Sequence, residues 1–326
     1  MQSVRQGARS CARRLCIGGL AVLAVAVSAC GASSSPASRT TAAATSSSPA
    51  QRPGVGKPPF TLGTKNFTEE FILGQLYAQA LRAKGYRVTL KNDLGPSELM
   101  DRKLTSGAID GYPEYTGTIL TVFGHKAKRP SNAAEAYRLA AGVERSRDAT
   151  LLGVAPATDT DVLIAKPAYA AQHRRRSLSD VARLGPTASL AGPPEFRTRL
   201  NGLVGLKHDY GISSIHFLPI PIGQQYVALA NGRTDLAVAF TTDGNLTRGG
   251  FALLADPKGT FGFQNVTFVV RNGVLGREGP DFAKTIDSVS ARLTTQALRL
   301  MNAAVSLDQQ DPTAVARQFL GANGLL

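Results

Sequence analysis

The chain has 326 residues, of which 43% are hydrophobic and 18% charged, and a formal net charge of +14. That length and apolar content can bury a core without covalent staples. The 3 cysteines all fall within the first 30 residues, which excludes a disulfide framework or a cysteine metal centre beyond them. The one dense basic run, His173 to Arg176, lacks interleaved aromatics. We therefore expect no nucleic acid as partner, and read the positive charge as a solvated face near anionic lipid.

Arg5, Arg9, Arg13 and Arg14 form a basic n-region, and Ile17 to Val27 is an uncharged, mostly apolar run. It is too short to span a bilayer and reads as an export signal over residues 1–29. Val27-Ser28-Ala29-Cys30 resembles the bacterial lipobox, in which the cysteine receives lipid. Residues 30–57 are rich in Ala, Ser, Thr and Pro, and read as a disordered tether between a lipid anchor and the fold.

The folded region then begins at Pro58. Phe60 to Gly63 predicts a strand, and Asn66 with Glu69 a capping box for a helix to about Lys84. Tyr86 to Leu90 alternates like a strand. Ser97 to Ser106 predicts a helix ended by Gly107, Ile109 a short strand, and Gly117 a further helix. Asn132 to Arg145 is again helical. Thr158 to Asp161 marks a crossing into a second lobe, with Val162 to Ala165 its first strand. Residues 177–184, 196–203 and 223–231 read as helix or turn, and Ile215 to Leu218 and Asp235 to Ala239 as strands. Asn265 to Val270 predicts a strand returning to the first lobe. One helix is expected from Pro280 to about Met301, and a last one from Asp311 and Pro312 to before Gly321. Alternating strands and helices make the class α/β. The expected division is lobe 1 at 58–158 plus 265–326, and lobe 2 at 159–264.

One unit occurs twice. Counting from Gly107, an aspartate stands at +3, an aromatic at +8 and a threonine at +9 (Asp110, Tyr115, Thr116). Counting from Gly232 gives Asp235, Phe240 and Thr241. Two strand ends that each present an aromatic ring and a hydroxyl suggest two lobes facing one cleft.

Catalytic motifs are missing from the sequence. His125, His173, His208 and His216 stand in no HExxH and beside no candidate nucleophile, and there is no GxSxG, P-loop or GxGxxG after a strand. Asp159 and Asp161 form a D-x-D pair that leaves a metal-dependent cleft enzyme as an alternative. We expect no enzyme, no cofactor and no metal. Binding chemistry is better represented. Lys65 precedes a helix N-terminus, where free N–H groups receive anions, and Arg199 offers a bidentate anion contact. Tyr112 and Tyr115 flank Pro113-Glu114, one ring suited to a core and the other to a cleft.

GTKNFTEEFILG, AIDGYPEYTGT, PPEFRTR-NGL and FTTDG resemble the substrate-binding proteins of ABC importers for glycine betaine, choline and related quaternary amines. The resemblance covers nearly all of residues 60–326. It implies a two-lobe, type II periplasmic-binding-protein-like fold with a hinge. It also implies a protein that closes on a small-molecule ligand and delivers it to a membrane permease; with the export signal, we expect an exported monomer. The family pattern matches at Lys65, Tyr115, Thr118, Asp159 and Arg199. Its tyrosine box, whose ring faces hold a trimethylammonium group, is thinned. Phe240 replaces one tyrosine, and Asp161 and Gln264 stand where two more would fall. The expected ligand site is thus Lys65, Tyr115, Thr118, Asp159, Asp161, Arg199, Phe240 and Gln264, with Cys30 the lipidation site. A different polar or hydroxyl-rich ligand is the alternative within the same carrier role.

Overall fold

The computed structural model describes residues 52–126 and 129–326. Among them, β1 (Phe60–Gly63), β2 (Val88–Lys91), β3 (Gly111–Tyr115) and β4 (Ala149–Leu152) belong to one sheet. A second sheet holds β5 (Asp161–Ala165), β6 (Ser189–Gly192), β7 (His216–Pro219), β8 (Leu236–Phe240) and β9 (Ala252–Leu254). The chain then returns, and β10 (Val266–Arg271) completes the first sheet. The strand orders are β2-β1-β3-β10-β4 and β7-β6-β8-β5-β9. In the first, β1 runs parallel to β2 and β3, and β10 antiparallel to β3 and β4. In the second, β6 takes the place of β1 and β5 that of β10. The two lobes are therefore one design used twice.

The repeated sequence unit supplies this equivalence. Gly107 and Gly232 sit at φ +78 and +69, a conformation that L side chains avoid, and each lets a helix end turn into a strand. Asp110 then accepts a hydrogen bond from the Thr61 N–H of β1 at 2.7 Å. Asp235 accepts from the Ser189 N–H of β6 at 2.9 Å. Each aspartate fixes its strand against the equivalent neighbour.

Both faces of each sheet are covered by apolar packing. Phe268 and Val270 of β10 face one core with Phe60, Leu62 and Tyr77, while Val269 between them faces another with Met100, Ile109 and Tyr112. The helix Thr68–Ala83 buries Ile72, Leu73, Leu76, Tyr77, Ala80 and Leu81. Phe71 on the same helix is only partly covered. No helix among the described residues is long and apolar enough to cross a membrane.

Several expectations are corrected. Asn66 does not cap the first helix. The N-cap is Phe67, without a side-chain bond, and the Glu70 carboxylate instead reaches back to the Lys65 N–H at 3.2 Å. The single helix expected after Pro280 is two, Pro280–Ser290 and Thr295–Ser306, because Thr294 caps a new start on the Ala297 N–H. The last helix runs through Gly321 to Ala322. Residues 52–57, read as the end of the tether, form a turn on the first lobe. There the Gly54 N–H donates to Lys84 O at 2.9 Å and Lys57 Nζ to Arg277 O at 3.0 Å. The export signal, the lipobox and the rest of the tether lie outside the described residues.

Candidate functional site

The two chain segments that cross between the sheets lie side by side. Thr158 bridges Asn265 antiparallel, and the Asp159 N–H donates to Gln264 O at 2.9 Å. This pairing sets the floor of a cleft between the lobes. Its space is about 570 Å³ with the open mouth included. All eight expected residues line it: Lys65, Tyr115 and Thr118 from the first lobe, Asp161, Arg199 and Phe240 from the second, and Asp159 and Gln264 from the crossing segments. Tyr115 and Phe240 occupy the carboxyl ends of the equivalent strands β3 and β8, where ligands of open α/β sheets commonly sit. As the sequence suggests, Tyr112 is core and Tyr115 faces the cleft.

Lys65 is not a solvated turn lysine. It is 2% exposed, and its ammonium pairs with Glu114 at 2.5 Å and Glu70 at 3.3 Å. The same ammonium stands 4.1 Å from the centre of the Tyr115 ring. A cation over an aromatic face gains about 0.5–2 kcal/mol, so one face of the main cleft tyrosine already holds a cation from its own chain. Burial pushes Glu70 up to about 8, with Lys65 opposing and Glu114 adding to the rise.

Arg199 is also engaged. Its guanidinium donates to both carboxylate oxygens of Glu98, at 3.1 and 3.0 Å. Glu98 belongs to the helix Ser97–Thr105 of the first lobe, so this fork spans the cleft. Burial works against Glu98 ionisation, but the bond and charge of Arg199 hold its carboxyl below the usual range.

The carboxylates deeper in the cleft differ. Asp161 accepts from Asn201 Nδ2 at 3.1 Å, and burial raises it to about 7 against the pull of Arg199. Asp159 accepts from the Thr242 hydroxyl at 2.5 Å, and burial together with nearby Glu69 raises it well above the ordinary value. Glu69 accepts from Tyr115 OH at 2.8 Å and from Asn302 at 2.8 Å. Gln264 has its Oε1 fixed by the Thr118 N–H at 3.0 Å, which assigns its amide nitrogen to the donor role. Among the described residues, no group of three or more His, Cys, Asp or Glu could hold a metal ion.

The expected set omitted Glu69, Glu98, Asn201 and Phe67. Asn201 stands inside the PPEFRTR-NGL motif, and Phe67 and Glu69 inside GTKNFTEEFILG, so a signal was present for three of these. Phe67 stacks 6.5 Å from Tyr115 and also lines the cleft.

Two α/β lobes joined by paired crossing segments, with a polar and partly aromatic cleft between them, define a solute-binding protein of the clamp type. The comparisons are more specific. Residues 58–322 match the OpuAC family, the substrate binding domain of ABC-type glycine betaine transport systems. A glycine-betaine-binding protein of Pseudomonas aeruginosa is 35% identical over 280 residues, covering 81% of this chain and 88% of that protein. The glycine betaine-binding protein YehZ of Escherichia coli is 29% identical over 286 residues, covering 82% of this chain and 91% of that protein. The solved structure of apo YehZ is similar with a TM-score of 0.59, covering 82% of this chain and 99% of that one. A glycine betaine/carnitine/choline ABC transporter structure at 22% identity, TM-score 0.65, covering 82% of this chain and 99% of that one, shares the fold. The chain belongs to this family of substrate-binding domains, with its two-lobe type II fold.

Proposed function

We propose that this is an exported, lipid-anchored receptor that captures a small organic cation between its lobes and delivers it to an ABC permease. The observation that carries this is the cleft: Tyr115 and Phe240 enter it from equivalent strand ends, and Asp159 and Asp161 add carboxyl groups beside them that a bound cation would hold ionised. Quaternary amines, the class for which its relatives are named, are the first ligands to test. The proposed lobes are 58–158 with 265–326, and 159–264, since the crossing segments pair at Thr158 and Asn265. Cys30 is the proposed anchor, which holds the protein at the outer face of the cytoplasmic membrane as a monomer. Carriage without turnover is the reading most in keeping with relatives named as binding proteins.

Thermal denaturation with and without choline or glycine betaine tests the ligand class. A ligand at 100 times its Kd adds about 2.7 kcal/mol of stability. Unchanged midpoints with both compounds at millimolar concentration would remove quaternary amines from the proposal.

A further inference from the structure

The cleft's charge pattern narrows the ligand class, an inference that rests on the reading of this cleft as the solute site. Both cations suited to a ligand carboxylate are already matched by the protein. Lys65 is held by Glu114 and Glu70, and Arg199 by Glu98. A ligand carboxylate would have to compete with Glu114 and Glu98 for these cations, and would lie beside Asp159 and Asp161, which repel it once they are ionised. The aromatic surface is also reduced, because the Lys65 ammonium covers a face of Tyr115 at 4.1 Å. What remains on offer is one amide donor, from Gln264, and hydrogen-bond acceptance by the two aspartates. Asp161 accepts one side-chain bond from Asn201 and Asp159 one from Thr242, and a carboxylate has about four lone-pair sites.

We infer that the cleft prefers a small organic cation with N–H donors and no carboxylate, a primary ammonium, over permethylated or zwitterionic amines. The chemistry decides the order. Methyl groups on nitrogen leave buried carboxylate lone pairs unmet, whereas N–H groups meet them with charge-assisted bonds about twice as strong as neutral ones. An ammonium sheds tight hydration on entering, and the carboxyls of Asp161 and Asp159, ionised by the cation they receive, offset that loss.

Calorimetric titration of the full lipoprotein in detergent with ethanolamine, choline, glycine and glycine betaine separates the two features. Ethanolamine and choline differ in N-methylation, and each amino acid adds the carboxylate. Ethanolamine should bind at least tenfold tighter than choline, and choline tighter than glycine betaine. Asp161→Asn keeps an acceptor for Asn201, and should weaken ethanolamine at least tenfold while changing choline less. Circular dichroism checks that the variant folds. Choline equal to or tighter than ethanolamine, or glycine betaine tightest of the four, overturns the inference and leaves the amine-receptor proposal standing. No heat from any of the four overturns both.

Discussion

Replacing Glu98 by Gln removes one charge from the contact that joins the lobes across the cleft. Arg199 holds Glu98 by two bonds at 3.1 and 3.0 Å. Hydrogen bonds to charged groups are worth about 1.5–3 kcal/mol when sheltered. Here the Glu98 side chain is 36% exposed and that of Arg199 17%, so solvent screening reduces the figure to about 1 kcal/mol. Glutamine can still accept one bond, so the expected loss is roughly 1 kcal/mol, or about fivefold in the ratio of closed to open lobes. Cysteine is absent from the described residues. Spin labels at Asn92→Cys and Thr198→Cys, one on each lobe, would therefore report the interlobe distance alone. The distribution should shift toward the open form in Glu98→Gln. High salt should move the parent protein the same way, since exposed charges are screened. The depressed Glu98 carboxyl sets the pH sense: the contact is whole at neutral pH and lost as pH falls through the acidic range. Identical distributions for parent and variant at low and high salt would refute the argument.

Without ligand, stability should fall as pH rises from about 4 to about 8, because Asp161 and Glu70 have folded values near 7 and 8 above their ordinary ones. Asp161 faces Arg199, Asn201 and Glu195, and urea midpoints at pH 5 and pH 8 check the sign; a flat or rising trend contradicts it. Asp161→Tyr with Gln264→Tyr should rebuild a ring-lined box and strengthen glycine betaine binding about ten- to several-hundred-fold, at about 0.5–2 kcal/mol per face. Titration of the double variant that shows no gain counts against the thinned-box account. Cys30→Ala should abolish lipid labelling of the chain, and unchanged labelling would end the lipoprotein proposal.

Much of the cleft was legible because backbone geometry leaves marks in sequence. A glycine at positive φ, an aspartate three residues on and an aromatic five beyond that recur at Gly107 and Gly232, and both copies end strands at the cleft. Side-chain partnership leaves weaker marks. Nothing local in GTKNFTEEF shows that Lys65 will be buried against Glu70 and against Glu114, 49 residues away. Likewise the Arg199–Glu98 contact joins residues 101 apart and exists only because two lobes meet. The short strands β4, β6 and β9 went unread, since runs of three or four such as Ala149–Leu152 carry too little periodicity to separate from loop. The break between the helices Pro280–Ser290 and Thr295–Ser306 turns on one threonine cap within an otherwise continuous apolar pattern.

Asp159 and Gln264 are bonded to each other through the backbone of the crossing segments. On the proposed reading of the cleft, recognition and motion share the same two residues. A solute that touches Asp159 would then also brace the proposed pivot between the lobes, and part of its binding free energy would go to arresting motion there. An apparent Kd is the intrinsic Kd divided by the fraction of molecules already in the competent arrangement. Substitutions at either position alter both factors at once. Variants of the Phe240 ring, which lies outside the Asp159–Gln264 pair, weigh mainly on contact, and comparing the two kinds separates how well the solute fits from how readily the clamp shuts.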